Sequence, residues 1–191
     1  MARTLAFDRD AAVRSAREVF WRDGYAEASL PALEEATGLS RSSIYNSFGS
    51  KRGLFDAAVQ SYLNEVIRPR LRPLQQESVD RSAILDYLDG LRDAFSRAAG
   101  LPGCLLVNTA GTTLAADSEV ARIITDYRLE LRTAIGNGVS AHLAGDDPAD
   151  MERLTDTVTD LVIAAFALVR VAPDVAIHTL ATARDTVTGE Q

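Results

Sequence analysis

Residues 30–51, with the sequence LPALEEATGLSRSSIYNSFGSK, constrain the fold of this chain more than any other segment. Two short segments whose apolar residues have helical spacing flank the sequence TGLS. Helices this short are unstable in water on their own, so the pair needs the support of a larger structure. The second segment also carries a run of polar side chains, which must face either water or a partner.

Capping residues mark the ends of these two short helices. Ser29 and Ser40 are typical N-cap residues, and Gly38 can adopt the left-handed conformation that ends a helix. In the second helix, Ile44 and Phe48 are four residues apart and therefore lie on one face. The segment is predicted to form a helix, a tight glycine turn and a second helix with an apolar inner face, which is a helix-turn-helix arrangement.

Helical periodicity also dominates the rest of the 191-residue chain. A first helix is expected to begin after Asp8 and to stop at Gly24. A helix that begins at Pro148 is apolar nearly all round in its later half, so it should be buried on more than one side. We find no strand-like alternation bounded by turn residues and no internal repeat. The chain is therefore predicted to be all-α, with about nine helices.

The charge of the chain is unevenly distributed. The net charge is -7, yet the first 60 residues hold eight Lys or Arg and eight Asp or Glu, so the whole excess falls in residues 61–191. This acidity argues against a general nucleic-acid or membrane binder. A polyanionic partner should therefore meet the N-terminal third of the chain.

The inward placement of Ile44 and Phe48 turns the polar residues of the second short helix outward. Their residue types suit a DNA groove, because Arg forks onto guanine or phosphate, Asn pairs with adenine, and hydroxyls reach phosphates or base edges. Free N–H groups at helix N-termini favour phosphate oxygens, and Lys51, the only lysine, follows one such terminus. Polar outer faces are often merely solvated, so the pattern alone leaves both interpretations open.

The segment FWRDGYAEASLPALEEATGLSRSSIYNSFGSKRGLFDAAV strongly resembles the DNA-binding domain of TetR/AcrR-family transcriptional regulators. The positions that agree at fixed spacing, without gaps, are Phe20, Gly24, Tyr25, Ser29, Leu30, Ala36, Gly38, Leu39, Ser40, Ile44, Tyr45, Phe48, Ser50, Lys51, Leu54 and Phe55. The resemblance implies a homodimeric, all-helical repressor that binds near-palindromic double-stranded operator DNA and is released by a small effector. Its N-terminal three-helix domain would span residues 6–66, with the helix-turn-helix motif at 29–48, and its effector-binding and dimerisation domain would span 67–191.

The resemblance also implies which residues contact DNA. Ser29 and Lys51 resemble phosphate clamps, and the residues of the second short helix resemble base or backbone readers. The full set of predicted DNA-binding residues is Ser29, Ser40, Arg41, Ser42, Ser43, Tyr45, Asn46 and Lys51. Many family members have an acidic residue or alanine after this lysine, whereas this chain has Arg52 and Gly53. Gly53 is expected to weaken the start of the fourth helix by up to about 1 kcal/mol relative to alanine.

The family architecture places the effector pocket and the subunit interface in the C-terminal domain. Helices near 82–99, 103–110, 118–136 and 150–170 are expected to converge on the pocket, and those near 148–171 and 173–187 to form the dimer. The predicted pocket residues are Leu91, Phe95, Cys104, Val107, Asn108, Thr112, Tyr127 and Phe166, although any one of them can instead simply fill the core. Walls of this composition favour a small hydrophobic or aromatic effector, neutral or weakly acidic.

Two other functional classes stay open. Cys104 is the only cysteine, so it can be a thiol sensor or a small core residue, and no intrachain disulfide is possible. A helical ligand-binding or redox-sensing protein is therefore the alternative to a regulator, and a helical enzyme is the weakest interpretation because no nucleophile–base spacing stands out. His142 and His178 are isolated, so neither a metal nor a cofactor is predicted. No apolar run is long enough for a membrane span, which predicts a cytoplasmic protein without a membrane partner.

Overall fold

The computed structural model describes residues 8–97, 100–143 and 147–189. The parts of the predicted segments that fall on other residues, such as the start of the first domain at residue 6, lie outside the described residues. Within the described ranges there are nine α-helices of six or more residues and no β-strand, which confirms the all-α prediction. No helix in this described part is both long and apolar enough to cross a membrane.

The nine helices follow one another along the chain. They are α1 (Arg9–Glu27), α2 (Leu30–Thr37), α3 (Arg41–Phe48), α4 (Lys51–Tyr62), α5 (Ala83–Arg97), α6 (Leu105–Ala110), α7 (Ser118–His142), α8 (Pro148–Leu168) and α9 (Pro173–Thr188). Between α4 and α5 the chain forms a π-helical turn (Leu63–Ile67), an α-helical turn (Arg68–Leu71) and a 3₁₀ turn (Arg72–Gln75). The chain divides into two compact units, one ending at Ile67 and the other beginning at Arg68.

The first unit is built around a cluster of aromatic side chains. The Phe20 and Phe55 rings meet edge to face, with their centroids 5.2 Å apart. Tyr25 packs against Phe55 at 5.1 Å in a similar geometry. Such pairs contribute roughly 0.5–1.5 kcal/mol beyond the burial of their area. The cluster therefore fixes the C-terminal end of α1 against α4.

The ends of α1 follow the predicted capping pattern. The Asp8 carboxylate accepts hydrogen bonds from the backbone N–H groups of Asp10 and Ala11, both at 3.0 Å. Regular helix geometry stops at Gly24, where φ is 82° and ψ is 168°. A positive φ disfavours any residue with a Cβ, so glycine is required here. One more turn follows, because the Ala28 N–H bonds to the Gly24 carbonyl.

The second unit packs long helices side by side. Helix α9 lies against α8 and α5, and α7 lies against α8. Val158 and Val162 of α8 are fully buried. Gly138 allows α7 to approach its neighbours, since a Cβ there would come within 2.6 Å of Leu74 Cδ2 and 2.9 Å of Ile84 Cβ. Close packing at this glycine therefore positions α5 beside α7.

Gly53 in α4 does not behave as expected from helix propensity. A Cβ built at Gly53 would overlap the backbone carbonyl oxygen of Phe48, at the end of α3. The missing side chain lets α4 begin directly after α3, with the Ser50 hydroxyl accepting a hydrogen bond from the Gly53 N–H at 3.0 Å. The expectation that alanine would be preferred here is therefore wrong, because propensity scales ignore a neighbouring helix.

Replacing Gly53 by alanine is expected to destabilise the protein by about 1–3 kcal/mol, because the Phe48 backbone must move to relieve the overlap. Gly90→Ala in α5 is the matched control, since a Cβ there meets no atom within 4 Å. That control should stabilise the protein by up to about 1 kcal/mol. Urea unfolding followed by far-UV circular dichroism measures both free energies. An unchanged or raised stability of the Gly53 variant would contradict the steric argument.

Candidate functional site

Local capping chemistry positions the helix pair α2 and α3. The Ser29 hydroxyl accepts a hydrogen bond from the Ala32 N–H at 3.2 Å, and the Ser40 hydroxyl accepts one from the Ser43 N–H at 3.2 Å. Gly38 takes the left-handed conformation between them, with φ at 68°. These caps satisfy backbone groups that the helix ends leave unpaired. The turn between the two helices is therefore set by Gly38 and Ser40, which lie within it.

Apolar contacts decide which side of α3 faces outward. Ile44 is fully buried, and Leu33 of α2 is fully buried as well. Phe48 is half-buried, and the Arg9 guanidinium lies over its ring at 4.9 Å from the centroid. The predicted readers Arg41, Ser42, Tyr45 and Asn46 are exposed, and Ser43 is half-buried.

The exposed polar groups of α3 are held by one another and by α2. The Ser40 hydroxyl lies 3.0 Å from that of Ser42 and 2.9 Å from that of Ser43. The Arg41 guanidinium stacks over the Tyr45 ring, 5.9 Å from its centroid. The Glu34 carboxylate accepts a hydrogen bond from the Arg41 backbone N–H. The sequence suggested that the N-terminus of α3 presents free N–H groups. In the structure, at least the N–H groups of Arg41 and Ser43 are already hydrogen-bonded.

A serine that caps a helix can still donate a hydrogen bond to a DNA phosphate. A hydroxyl has one donor and two acceptor positions, so Ser29 and Ser40 can accept from the backbone and donate outward at once. Glu34 was not among the predicted site residues. It lies seven positions before Arg41, and only the angle of the turn between α2 and α3 brings its carboxylate to the second helix. No spacing rule for a single helix would have identified it.

Lys51 is held at the start of α4 by contacts with the end of α1. Its Nζ donates to the Ala26 carbonyl at 3.4 Å and lies 4.7 Å from the centroid of the Tyr25 ring. Partial burial lowers the pKa of Lys51, and the nearby charge of Glu27 opposes this shift. The contact with Tyr25 is a cation–π interaction, which the sequence did not reveal. The ammonium is thus restrained beside the Ser50 cap of α4.

The predicted effector pocket is divided between two cavities of the second unit. The smaller encloses about 260 Å³ and includes Val107 and Tyr127, two of the predicted residues, in a lining of Val107, Ala110, Ile124, Tyr127, Arg128, Asp160 and Ile163. The larger is a cleft of about 600 Å³ that includes the predicted residue Leu91. Its lining runs from the turn after α4 to the middle of α5 and comprises Pro69, Arg70, Pro73, Gln76, Ser78, Asp80, Ser82, Ala83, Asp86, Tyr87, Gly90 and Leu91.

The other predicted pocket residues line neither of these two cavities. Phe95 and Phe166 are buried against each other, with their ring centroids 5.7 Å apart. The side chain of Asn108 donates to the Pro102 carbonyl at 2.6 Å, and the Thr112 hydroxyl donates to the Thr109 carbonyl at 2.8 Å. These four side chains are occupied by packing and by local turn chemistry.

Cys104 is fully buried, and its thiol donates a weak hydrogen bond to the Tyr127 hydroxyl at 3.7 Å. Full burial is typical of a structural cysteine, whereas reactive cysteines are partly exposed. Among the described residues, no three His, Cys, Asp or Glu side chains are grouped so as to hold a metal ion.

Comparison with known proteins identifies related regulators. Residues 12–58 match the family profile described as "Bacterial regulatory proteins, tetR family". The chain is 36% identical over 118 residues to the HTH-type transcriptional repressor ComR of Escherichia coli (strain K12). That match covers 61% of this chain and 55% of ComR, little more than half of the relative's length.

Two further relatives match over most of their length. The uncharacterized HTH-type transcriptional regulator YezE of Bacillus subtilis (strain 168) is 32% identical over 143 residues, which is 73% of this chain and 72% of YezE. A cysteine mutant of the TetR family transcriptional regulator CifR, solved in complex with a 26-base-pair double-strand operator DNA, superposes with a TM-score of 0.76. It is 31% identical, and the superposition covers 95% of this chain and 98% of that chain. The resemblance in sequence is thereby confirmed, and the chain belongs to the TetR family of bacterial regulatory proteins.

Proposed function

We propose that this chain is a DNA-binding transcriptional regulator, a repressor that a small-molecule effector releases from its operator. The observation that carries the proposal is the polar outer face of α3, held outward by the burial of Ile44. The similarity to CifR, whose structure contains operator DNA, supports it across nearly the whole chain. The N-terminal unit would bind DNA, and the C-terminal unit would bind the effector and a second subunit.

The DNA contacts follow from the geometry of α3 and Lys51. We assign base reading to Arg41 and Asn46, because both side chains are exposed and both types form specific pairs with base edges. The stacking of Arg41 on Tyr45 restricts the guanidinium before DNA arrives, which reduces the entropy lost on binding. Ser29, Ser40, Ser42, Ser43, Tyr45 and Lys51 would contact the phosphate backbone or nearby base edges.

Arg41→Ala should weaken binding to the cognate operator by about 1–3 kcal/mol and relax sequence preference at the base it contacts. Lys51→Ala should weaken binding to all sequences alike and reduce the slope of log affinity against log salt by roughly one unit. Fluorescence anisotropy against operator DNA at several salt concentrations measures both effects. Arg122→Ala is the control, because Arg122 is an exposed residue of the second unit that pairs with Asp126. Unchanged operator affinity in both test variants would exclude this face as the DNA site.

The subunit interface is assigned to the outer surface of α8 and α9. Val171 is 80% exposed and Val175 is 51% exposed, and they are four residues apart at the junction of the two helices. Exposed apolar patches of this kind mark interaction sites. Phe166, by contrast, is buried against Phe95 and cannot be an interface residue. A two-fold dimer through this surface would present two α3 helices to successive major grooves, about 34 Å apart.

A double substitution, Val171→Glu with Val175→Glu, should convert the dimer to a folded monomer, because both side chains are exposed in the subunit and would place like charges together at the interface. Leu129→Glu is the matched control: Leu129 is 60% exposed on α7, outside the proposed surface. Phe166→Glu should instead unfold the second unit, since it buries a charge. Analytical ultracentrifugation with circular dichroism distinguishes the three results. A dimer that survives the double substitution would refute the assignment.

The regulator would have one conformation that binds DNA and one that does not. Release from DNA requires that the effector has the higher affinity for the second conformation. The two cavities of the C-terminal unit that include predicted pocket residues are the candidate sites. The larger, of about 600 Å³, has the size of a typical small-molecule site. The smaller, of about 260 Å³, is walled mostly by apolar side chains.

We expect a neutral or weakly acidic hydrophobic compound to release the protein from operator DNA. Candidate compounds can be screened by thermal shift and then by loss of operator anisotropy. Arg41→Ala protein is the control, because it should bind ligand as the wild type does while binding operator more weakly. If only multiply charged compounds caused release, the effector class would be wrong.

A further inference from the structure

The larger cleft of the C-terminal unit contains two polar side chains, exposed Arg70 and half-buried Tyr87, whose donors have no partner among the described residues. Arg70 and Tyr87 both line it. Neither the Arg70 guanidinium nor the Tyr87 hydroxyl forms a hydrogen bond or an ion pair with any described residue. Both residues line the same cleft, and the positive charge of Arg70 acts on the Tyr87 hydroxyl. The cleft therefore holds a charged donor and a neutral donor without a matching acceptor.

The acidic groups of the cleft already have donors of their own. The Asp80 carboxylate accepts a hydrogen bond from the Ser82 backbone N–H at 2.8 Å, and this bond lowers the pKa of Asp80. The Asp86 carboxylate accepts one from the Ser82 hydroxyl at 2.7 Å. Both carboxylates belong to the rim near the start of α5. Each carboxylate therefore already has a donor within the protein, whereas the donors of Arg70 and Tyr87 have no acceptor among the described residues.

Tyr87 acts as a donor at neutral pH. Burial raises the pKa of its hydroxyl well above the ordinary value, and the charge of Arg70 offsets only part of that shift. A protonated phenol and a guanidinium together favour an acceptor that carries negative charge. A carboxylate has this chemistry and can accept two bonds from an arginine fork.

The other residues that line the cleft favour a ligand with an apolar body and a low charge. Pro69, Pro73 and Leu91 supply apolar surface within the cleft of about 600 Å³. Apolar walls with a few convergent polar groups are characteristic of small-molecule sites. The charges of Asp80 and Asp86 repel each negative charge of a ligand, and Arg70 can offset this repulsion for only one carboxylate, so a ligand with two or more negative charges is disfavoured.

We propose that this cleft binds a small monocarboxylate with an apolar body, whose carboxylate accepts hydrogen bonds from Arg70 and Tyr87. The occupant would be the effector of the regulator, so its regulatory role rests on the proposed function. Its binding to the protein does not, because the site lies wholly in the second unit.

Isothermal titration calorimetry of the full-length protein, without DNA, tests the binding step. The probes are hexanoate, octanoate, phenylacetate and naphthoate, each compared with the primary amide and the primary amine of the same skeleton. At least one acid should bind more tightly than its amide by about tenfold or more, the contribution of a charged hydrogen bond. Arg70→Gln should remove this preference, and Tyr87→Phe should reduce it by several fold. Arg72→Gln is the control, because Arg72 is an exposed neighbour that does not line the cleft.

Circular dichroism and thermal unfolding confirm that each variant is folded before its affinity is compared. Preferential binding of the amines, equal binding of acids and amides, or no binding of any acid at millimolar concentration would overturn the proposal. So would an acid preference that persists in Arg70→Gln.

The acid that binds is then tested for release of operator DNA. If the protein binds the acid with the expected preference but binds no DNA, the carboxylate site is supported and the proposed regulatory function is refuted. Operator binding that the acid does not change would refute its role as effector.

Discussion

The arrangement of the N-terminal unit depends on the burial of one side chain, Ile44, in a helix too short to be stable alone. Helix α3 has eight residues, and its backbone satisfies few of its own hydrogen bonds. Its geometry is therefore imposed from outside, by the apolar contacts beneath Ile44 and by the aromatic cluster that holds α1 to α4. Tyr25 links these roles, because its ring packs against Phe55 on one side and meets Lys51 on the other. The aromatic core of this unit therefore also positions the positive charge of Lys51.

The acidic excess of the chain makes the local arrangement of charge decisive. Residues 61–191 carry the whole net charge of -7, so the protein has no general attraction for polyanions. Affinity for DNA would have to come from a few restrained groups at α3 and at the start of α4. Glu34 adds to this local arrangement, because its carboxylate accepts a hydrogen bond from the exposed Arg41 backbone N–H. Weak general attraction combined with local restraint favours sequence discrimination over non-specific binding.

In the C-terminal unit, residue type does not predict which side chains line a cavity and which fill the core. Phe95 and Phe166 have the composition of pocket walls, yet they fill the core against each other. Leu91 lines a cleft whose chemistry comes from Arg70 and Tyr87, neither of which belongs to the predicted wall. Tyr127 lines the smaller cavity, and its hydroxyl accepts a hydrogen bond from the buried thiol of Cys104. Cavities arise where packed helices diverge, whereas Gly138 lets α7 approach its neighbours closely.

The amino-acid sequence by itself determined the helices and their ends. Ser29, Ser40 and Gly38 act through hydrogen bonds and backbone dihedrals within a few residues, and the inward face of α3 follows from the four-residue spacing of Ile44 and Phe48. Only the tertiary structure decided the contacts between segments distant in sequence. The contact between Lys51 and Tyr25 spans 26 positions, and Gly53 is required because a neighbouring helix ends against it. Local rules act along one helix, whereas cavities and restrained charges form where several helices meet, at angles that no single segment encodes.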